Sequence, residues 1–242
     1  MARAKTGSKT ARKGKAKTRA PQGRRRWIWR GVLAVVLPVV ALVALVSVVN
    51  PPTTFYIASE ARRLGKVERQ WTDMNRISPV MARSVVAAED ANFCLHWGFD
   101  MAAIRKAIDS GARRGASTIT QQVVKNVFLW QGRSWPRKAL EALLTPVVEL
   151  TWSKRRILEV YLNVAEFGEG TFGVAAGAAK SFQEEPNAIT PEQAALLASV
   201  LPDPKYRDAA HPDAWLRRRA ADIRDGAATI EADGRARCFE RR

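Results

Sequence analysis

The sequence predicts an all-α protein, a single globular helical domain behind one N-terminal transmembrane helix. Three observations carry this reading: helix-start signals recur along the body, period-two alternation is nearly absent, and Gly31–Val49 runs for 19 residues without a charge. At about 1.5 Å per residue, such a run nearly crosses a hydrocarbon core of roughly 30 Å. The chain has 242 residues, 47% of them hydrophobic and 26% charged, which excludes a disordered protein and allows a substantial core. Two cysteines exclude a disulfide scaffold, and no Cys/His spacing suggests a zinc site.

The elements follow in order. Residues 1–30 form a basic tail with 12 Lys/Arg and no acid, against a net charge of +17 for the whole chain. The other 212 positions hold 28 basic and 23 acidic residues, so the charge is mostly a tail on a mildly basic body. A basic excess first suggests nucleic acid. This block, however, carries no aromatic until Trp27 and abuts the apolar run, so an orientation signal explains it better. Residues 31–50 are read as the anchor, with Trp27 and Trp29 at the interface and Pro38 tolerated within the span. The alternative is a cleaved signal peptide, but the run exceeds a signal's apolar core and no small-x-small site precedes Asn50. Basic residues before the span place the N-terminus in the cytoplasm and the body across the membrane. That outer compartment is oxidising and permits a Cys94–Cys238 bridge. Nothing in the sequence brings the two together, and both are read as free.

Residues 51–77 lack sustained periodicity and are read as a linker leading into a domain at 78–242. Ser78-Pro79 opens a helix with a cap candidate and an N1 proline. Asp100 precedes a segment with Met101, Ile104 and Ile108 on one face. Thr118 and Gln121 have capping-box spacing. Ser134 opens a long segment in which Leu140, Leu143, Leu144 and Val147 form an apolar stripe and Pro146 should kink or break the helix. Ser153 opens KRRILEVYLN, and Thr190-Pro191-Glu192-Gln193 combines a cap, an N1 proline and an N3 glutamine.

Polar chemistry gathers in a few places. Glu89-Asp90 ends an apolar helix and is followed by aromatics, a setting in which desolvation would raise a carboxyl's pKa and make it a better base. Two acids at a helix end are more often a solvated surface, and His96 alone reads as a structural histidine. Ser117, Thr118, Gln121 and Gln122 crowd a helix start, where such side chains cap the backbone or offer donors to a polar ligand. Lys125 follows on the same helix face. Arg133, Arg137 and Lys138 surround Glu141; Arg137–Glu141 has ion-pair spacing, while the four cations together would suit a phosphate-bearing group. Val127-Phe128-Leu129-Trp130 and Trp135 flank these cations, as core or as an interfacial surface.

In that order EDANFCLHWG, GASTITQQVVKN, RKALE and KRRILEVYLN resemble four motifs of the peptidoglycan glycosyltransferases, glycosyltransferase family 51. YLNVAEFGEGTFGVAAGAAKSF and TPEQAALLASVLPDP are similar to the monofunctional, single-domain branch, which implies that no penicillin-binding domain follows. The resemblance runs from about Ser78 to Lys205; Glu184-Glu185-Pro186 replaces the family's glycine-lysine turn, and the chain beyond Arg207 matches poorly. It implies a lysozyme-like all-α fold and polymerisation of lipid II into β-1,4 glycan, with inversion and release of undecaprenyl pyrophosphate. It further implies Glu89 as general base, Glu141 as the second carboxylate near the donor, Lys125, Arg133, Arg137 and Lys138 beside the pyrophosphate, and Ser117, Thr118, Gln121 and Gln122 as a donor-site wall. No cofactor or metal site is implied; a divalent ion, Mg²⁺ or Mn²⁺, assists some relatives. Expected partners are lipid II, the growing lipid-linked glycan, the membrane and other wall-synthesis proteins, without nucleic acid. The rivals are a lysozyme-like enzyme that cleaves peptidoglycan, whose sugar leaving group needs no cationic cluster, a membrane-tethered nucleic-acid binder, and a scaffold that leaves Glu89 and Glu141 unexplained.

Overall fold

The structure, a computed structural model, describes residues 22–111, 117–132 and 134–240. Most of the basic tail, Gly115-Ala116 and Arg133 lie outside the described residues. The first helix, α1 (Gln22–Val46), begins inside the basic segment and ends before Asn50. Its Trp29–Val46 stretch, with a mean hydropathy of 2.4, is long and apolar enough to cross a membrane. The compact body starts at Ala41, within the last turns of this helix.

Residues 51–77, expected as a linker, are ordered instead. They form α2 (Phe55–Leu64), the two-residue strand β1 (Glu68–Arg69) and a 3₁₀ turn at Met74–Arg76. The Thr54 hydroxyl accepts from the Ile57 amide and caps α2. Periodicity is weak because this ten-residue helix buries only Ile57 and Glu60.

The remaining helices are α3 (Pro79–Glu89), α4 (Met101–Asp109), α5 (Ile119–Phe128), α6 (Trp135–Thr151), α7 (Lys154–Val164), α8 (Val174–Phe182) and α9 (Pro191–Val200), then α10 (Ala214–Ala232) and α11 (Arg237–Glu240). Six of them, those opening after Ser78, Asp100, Thr118, Ser134, Ser153 and Thr190, start where the sequence signals lie, and three more, α8, α10 and α11, were not foreseen. Thr118 and Thr190 complete reciprocal capping boxes with Gln121 and Gln193, and Asp100, Ser134 and Ser153 accept from amides one turn on. Pro146 does not break α6, which runs through it; the one backbone bond it removes is outweighed by burial of the flanking Thr145 and Val148. Two further short strands, β2 (Glu166–Gly168) and β3 (Thr171–Phe172), make a small sheet ordered β1-β3-β2.

Helices α3, α9 and α10 pack together, while α5 packs between α6 and α7. Met81, Phe93, Ile119, Leu158 and Leu197 are fully buried in a single core. Burial on α6 runs against simple amphipathicity. Its buried positions include Arg137, Glu141, Thr145 and Glu149, while Leu143 is 69% exposed and Trp135 88% exposed. Of the flanking apolar residues, Val127 and Leu129 are core and Trp130 and Trp135 are exposed.

The two cysteines, expected free, are bridged: Cys94–Cys238 joins the segment after α3 to α11, with Cα atoms 5.7 Å apart. The partner cysteine lies 144 residues away, beyond the reach of any local sequence signal. Where the family's glycine-lysine turn was replaced, Gln183 ends α8 in the left-handed region at φ 58°.

Candidate active site

Glu89 is the last residue of α3 and sits on a wall common to two cavities. One, of about 680 Å³, is lined by Gln121, Gln122, Lys125, Arg137, Lys138 and Glu141, together with Ser117 and Arg219. The other, about 370 Å³, carries Asn92, Asp100, Lys106 and Thr118 and also reaches Ser117. The apolar face of α3 ends here, so the chain delivers a carboxyl from the core to the cleft. Burial pushes that carboxyl above its ordinary range, opposed by a hydrogen bond from Gln122 and by the positive Arg219 and Lys125. Gln122 Nε2 donates to Glu89 Oε2 at 2.9 Å, and Tyr161 Oη donates to Gln122 Oε1 at 3.1 Å.

The neighbouring Asp90 is structural. Its Oδ2 accepts the Ile119 amide at 3.0 Å at the start of α5, and its Oδ1 meets His96 Nε2 at 2.8 Å. The loop after α3 is thereby fixed against α5, and with it the end of the helix that bears Glu89. Thr118 is likewise committed to local structure: its Oγ1 takes the Gln121 amide and donates to Gly98 O at 2.7 Å, while Gln121 Oε1 accepts from Thr118 N at 3.0 Å.

Glu141 is 2% exposed and is held by two of the expected cations. Arg137 Nη1 donates to its Oε2 at 2.6 Å and Lys138 Nζ to its Oε1; Arg137 Nε also donates to Gly132 O at 2.8 Å. Lys138 Nζ also reaches Ser117 Oγ at 3.4 Å. Lys125 differs: among the described residues no carboxylate lies within salt-bridge distance of it, and burial holds its ammonium below the ordinary lysine range, with Glu141 pulling the other way. The structure thus brings together nine of the ten expected residues, seven of them with Glu89 on the larger cavity and Thr118 on the smaller. The tenth, Arg133, lies outside the described residues.

Sequence reasoning missed Arg219, on α10. A faint signal exists: Leu216, Ala220, Ile223, Ala227 and Ile230 form the buried stripe of that helix, and position 219 flanks it one turn from both Leu216 and Ile223. No group of three or more His, Cys, Asp or Glu among the described residues is arranged to hold a metal ion.

A mostly helical body that sets a half-buried carboxylate, Glu89, and a buried one, Glu141, in one cation-lined cleft suits an enzyme class that transfers a group carried on an anionic leaving group. The comparisons narrow the class. A transglycosylase family profile matches residues 57–226, and the chain belongs to that family. Similar proteins are the biosynthetic peptidoglycan transglycosylase of Jannaschia sp. (strain CCS1), 59% identical over 218 residues, covering 90% of this chain and 91% of the relative. The protein of the same name from Xanthomonas axonopodis pv. citri (strain 306) is 47% identical over 209 residues, covering 82% and 85%. That of Ectopseudomonas mendocina (strain ymp) is 50% identical over 163 residues, covering 66% and 67%.

Proposed function

We propose that this chain polymerises lipid II into β-1,4 glycan strands, with Glu89 as general base and with inversion at the donor's anomeric carbon. The observation that carries the reading is the position of Glu89 between two cavities, the larger lined by Lys125, Arg137, Lys138 and Arg219 and the smaller, among the described residues, by the single cation Lys106. An acceptor in the smaller cavity would present its 4-hydroxyl to Glu89, which takes the proton as that oxygen bonds to the anomeric carbon. The bond from that carbon to the undecaprenyl pyrophosphate oxygen breaks, and the leaving charge falls on the larger cavity. Lys125 and Arg219 face that charge directly, Arg137 and Lys138 through their pairs with Glu141, and Ser117, Gln121 and Gln122 line the same wall. Glu141 orients the two cations it holds. Preorganised donors of this kind act where charge develops and need no reorganisation during reaction. A divalent ion remains an auxiliary that the pyrophosphate itself would carry. A peptidoglycan-cleaving enzyme expels a sugar hydroxyl and has no use for this cluster.

The chain is membrane-anchored, and its peptidoglycan-synthesising role makes lipid II and the growing glycan its natural partners. We place the N-terminus in the cytoplasm and the body outside the inner membrane, a topology that the basic tail and the Cys94–Cys238 bridge both favour. Exposed Met101, Ile108, Trp135, Leu140, Leu143 and Leu150 on α4 and α6 suit contact with the outer leaflet, where the substrate's polyprenyl tail lies. Contacts with other wall-synthesis proteins are left to the surfaces away from this face. The test is labelled lipid II, resolved as polymer on a gel. The expected result is glycan from the wild type and none from folded Glu89→Gln; wild-type turnover in that variant would remove Glu89 from its role.

A further inference from the structure

Among the described residues Glu89 receives one side-chain hydrogen bond, and its donor is an amide that could face it either way round. The two ends of a glutamine amide have nearly the same shape and opposite hydrogen-bonding character. With the nitrogen toward Glu89 the anion is stabilised. With the oxygen toward Glu89 the anion is repelled, and the protonated acid, which can donate to that oxygen, is favoured. A base that must be ionised before it meets its substrate needs the first arrangement.

Tyr161 supplies the selection. It lies on α7, in the KRRILEVYLN stretch, is 1% exposed, and meets Gln122 from inside the protein rather than from the cleft. Its hydroxyl is 3.1 Å from Gln122 Oε1, while Gln122 Nε2 is 2.9 Å from Glu89 Oε2. Three helices therefore meet in one line of hydrogen bonds, from α7 through α5 to the end of α3. We propose that Tyr161 and Gln122 are positioning residues for Glu89: the buried hydroxyl, which has no other acceptor among the described residues, donates to the Gln122 carbonyl, and turning the amide round would leave that proton unpartnered, so the amide nitrogen faces the base. Burial first, and Glu89 second, push the Tyr161 phenol well above its ordinary range, so it remains a donor at any working pH. The charged groups that bear on Glu89 lie elsewhere: Lys125 on α5 and Arg219 on α10 favour its anion, and Asp90 opposes it. None of them decides which end of the amide Glu89 meets.

The inference rests on Glu89 being the base, and the test separates the two ideas. Lipid II turnover by the full-length protein is measured across the acid limb of kcat/KM for the wild type, Tyr161→Phe, Gln122→Met, the double variant and Glu89→Gln. Phenylalanine keeps the ring and removes only the hydroxyl. The expected Tyr161→Phe result is an acid limb moved up by about one pH unit, the scale of one charge-assisted hydrogen bond, with turnover above the limb close to wild type. Gln122→Met should move the limb at least as far, and the double variant should match Gln122→Met alone, as members of one chain do. A uniform loss at every pH with the limb unmoved would overturn the relay and leave Tyr161 a packing residue. So would additive displacements in the double variant. If Tyr161→Phe is poorly folded, Gln122→Met with an unmoved limb overturns the relay by itself. Turnover by Glu89→Gln would instead defeat the base assignment, whatever the tyrosine variant does.

Discussion

Glu89 shows how a single residue is set against the stability of its own fold. Its carboxyl has a raised pKa in the folded protein, so between the ordinary value of 4.5 and that raised value the folded state holds a proton that the unfolded chain releases. In that window the native state binds more protons than the unfolded state, and stability falls as pH rises. Glu89→Gln should therefore lose turnover while its melting temperature near neutral pH equals or exceeds that of the wild type, with no such gain at acid pH. A lower melting temperature for the variant at neutral pH would show that the ionised carboxylate stabilises the fold. Lys125 makes the same trade, since burial disfavours its charge as well: an ammonium with no carboxylate in salt-bridge distance among the described residues is available to a substrate anion. Lys125→Ala should cost about 2.7–4 kcal/mol of transition-state stabilisation, on the order of 10²–10³ in kcat, with little change in melting temperature. Gln183 offers a stability prediction independent of chemistry. A side chain in the left-handed region costs roughly 1–2 kcal/mol, part of which glycine gives back through its freer unfolded chain, so Gln183→Gly should stabilise the fold by about 1 kcal/mol in a denaturant titration. The site was legible wherever its residues lie within a few positions of one another, as in Ser117–Lys125 and Arg137–Glu141. It was not legible at Arg219, which reaches the cleft from a helix distant in sequence, or at Tyr161, which meets Gln122 from inside the protein.

Six of the helices, α3 to α7 and α9, were readable from their first turns. Caps are local, and a Thr with a Gln three residues on, or a Ser before a proline, fixes a helix start with no knowledge of tertiary contacts. Which face becomes buried is not local. On α6 the apolar stripe that should have pointed inward leaves Leu143 69% exposed, because Arg137 and Glu141 satisfy each other inside and the cleft needs them there. The 51–77 stretch was misread for a related reason: its order comes from contacts with distant residues, as where Thr72 N donates to Asn163 Oδ1 at 2.7 Å and Asn163 Nδ2 donates to Thr72 O at 2.9 Å. The segment just before it is held in the same way. Arg156 Nη2 donates to the carbonyls of Val46 at 3.0 Å and Val49 at 3.1 Å, where α1 runs out of internal partners, and Nη1 donates to Asn50 Oδ1 at 2.8 Å. Trp152 Nε1 donates to Val43 O at 2.8 Å, and Arg69 Nη2 to Pro51 O at 2.7 Å. The guanidinium carbons of Arg69 and Arg156 both lie within 6 Å of the Trp71 ring, at 5.8 and 5.5 Å. Residues 43–52 are thus gripped rather than trailing as a tether. Arg156→Ala removes charged donors worth about 1.5–3 kcal/mol each, and should open the 47–54 segment to limited proteolysis before the core unfolds. An unchanged cleavage rate there would mean that Trp152 and Arg69 hold the segment without it.

At the scale of the whole molecule the question is what joins the end of the chain to the site. Helix α10 packs on α3 and α9 and brings Arg219 to the cleft, and α11 then lies against α7 with Phe239 fully buried. The family profile, expected to fade after Arg207, runs on to residue 226 through most of α10, and this C-terminal part covers the helix that ends in Glu89. Several links secure it to the rest, among them Arg235 Nη1, which donates to Ala91 O at 2.9 Å. Arg83 on α3 pairs with Glu231 and Glu240, Arg155 Nη1 donates to Phe239 O at 2.6 Å, and Cys94–Cys238 ties α11 to the segment four residues beyond Asp90. Only the disulfide closes a loop in the unfolded chain, with a sequence separation of 144. In the chain-entropy picture such a loop is worth about 5 kcal/mol, an upper figure that residual structure in the unfolded state reduces. Reduction, or the Cys94→Ser/Cys238→Ser pair, should therefore lower the melting temperature by several degrees. Because Asp90 is held independently by the Ile119 amide and His96, the site should survive this at low temperature. The expected pattern is near-normal lipid II turnover in the cold and earlier inactivation on warming. Loss of turnover in the cold would show that the bridge shapes the active site directly, and an unmoved melting temperature would show that the remaining contacts of α11 already hold it.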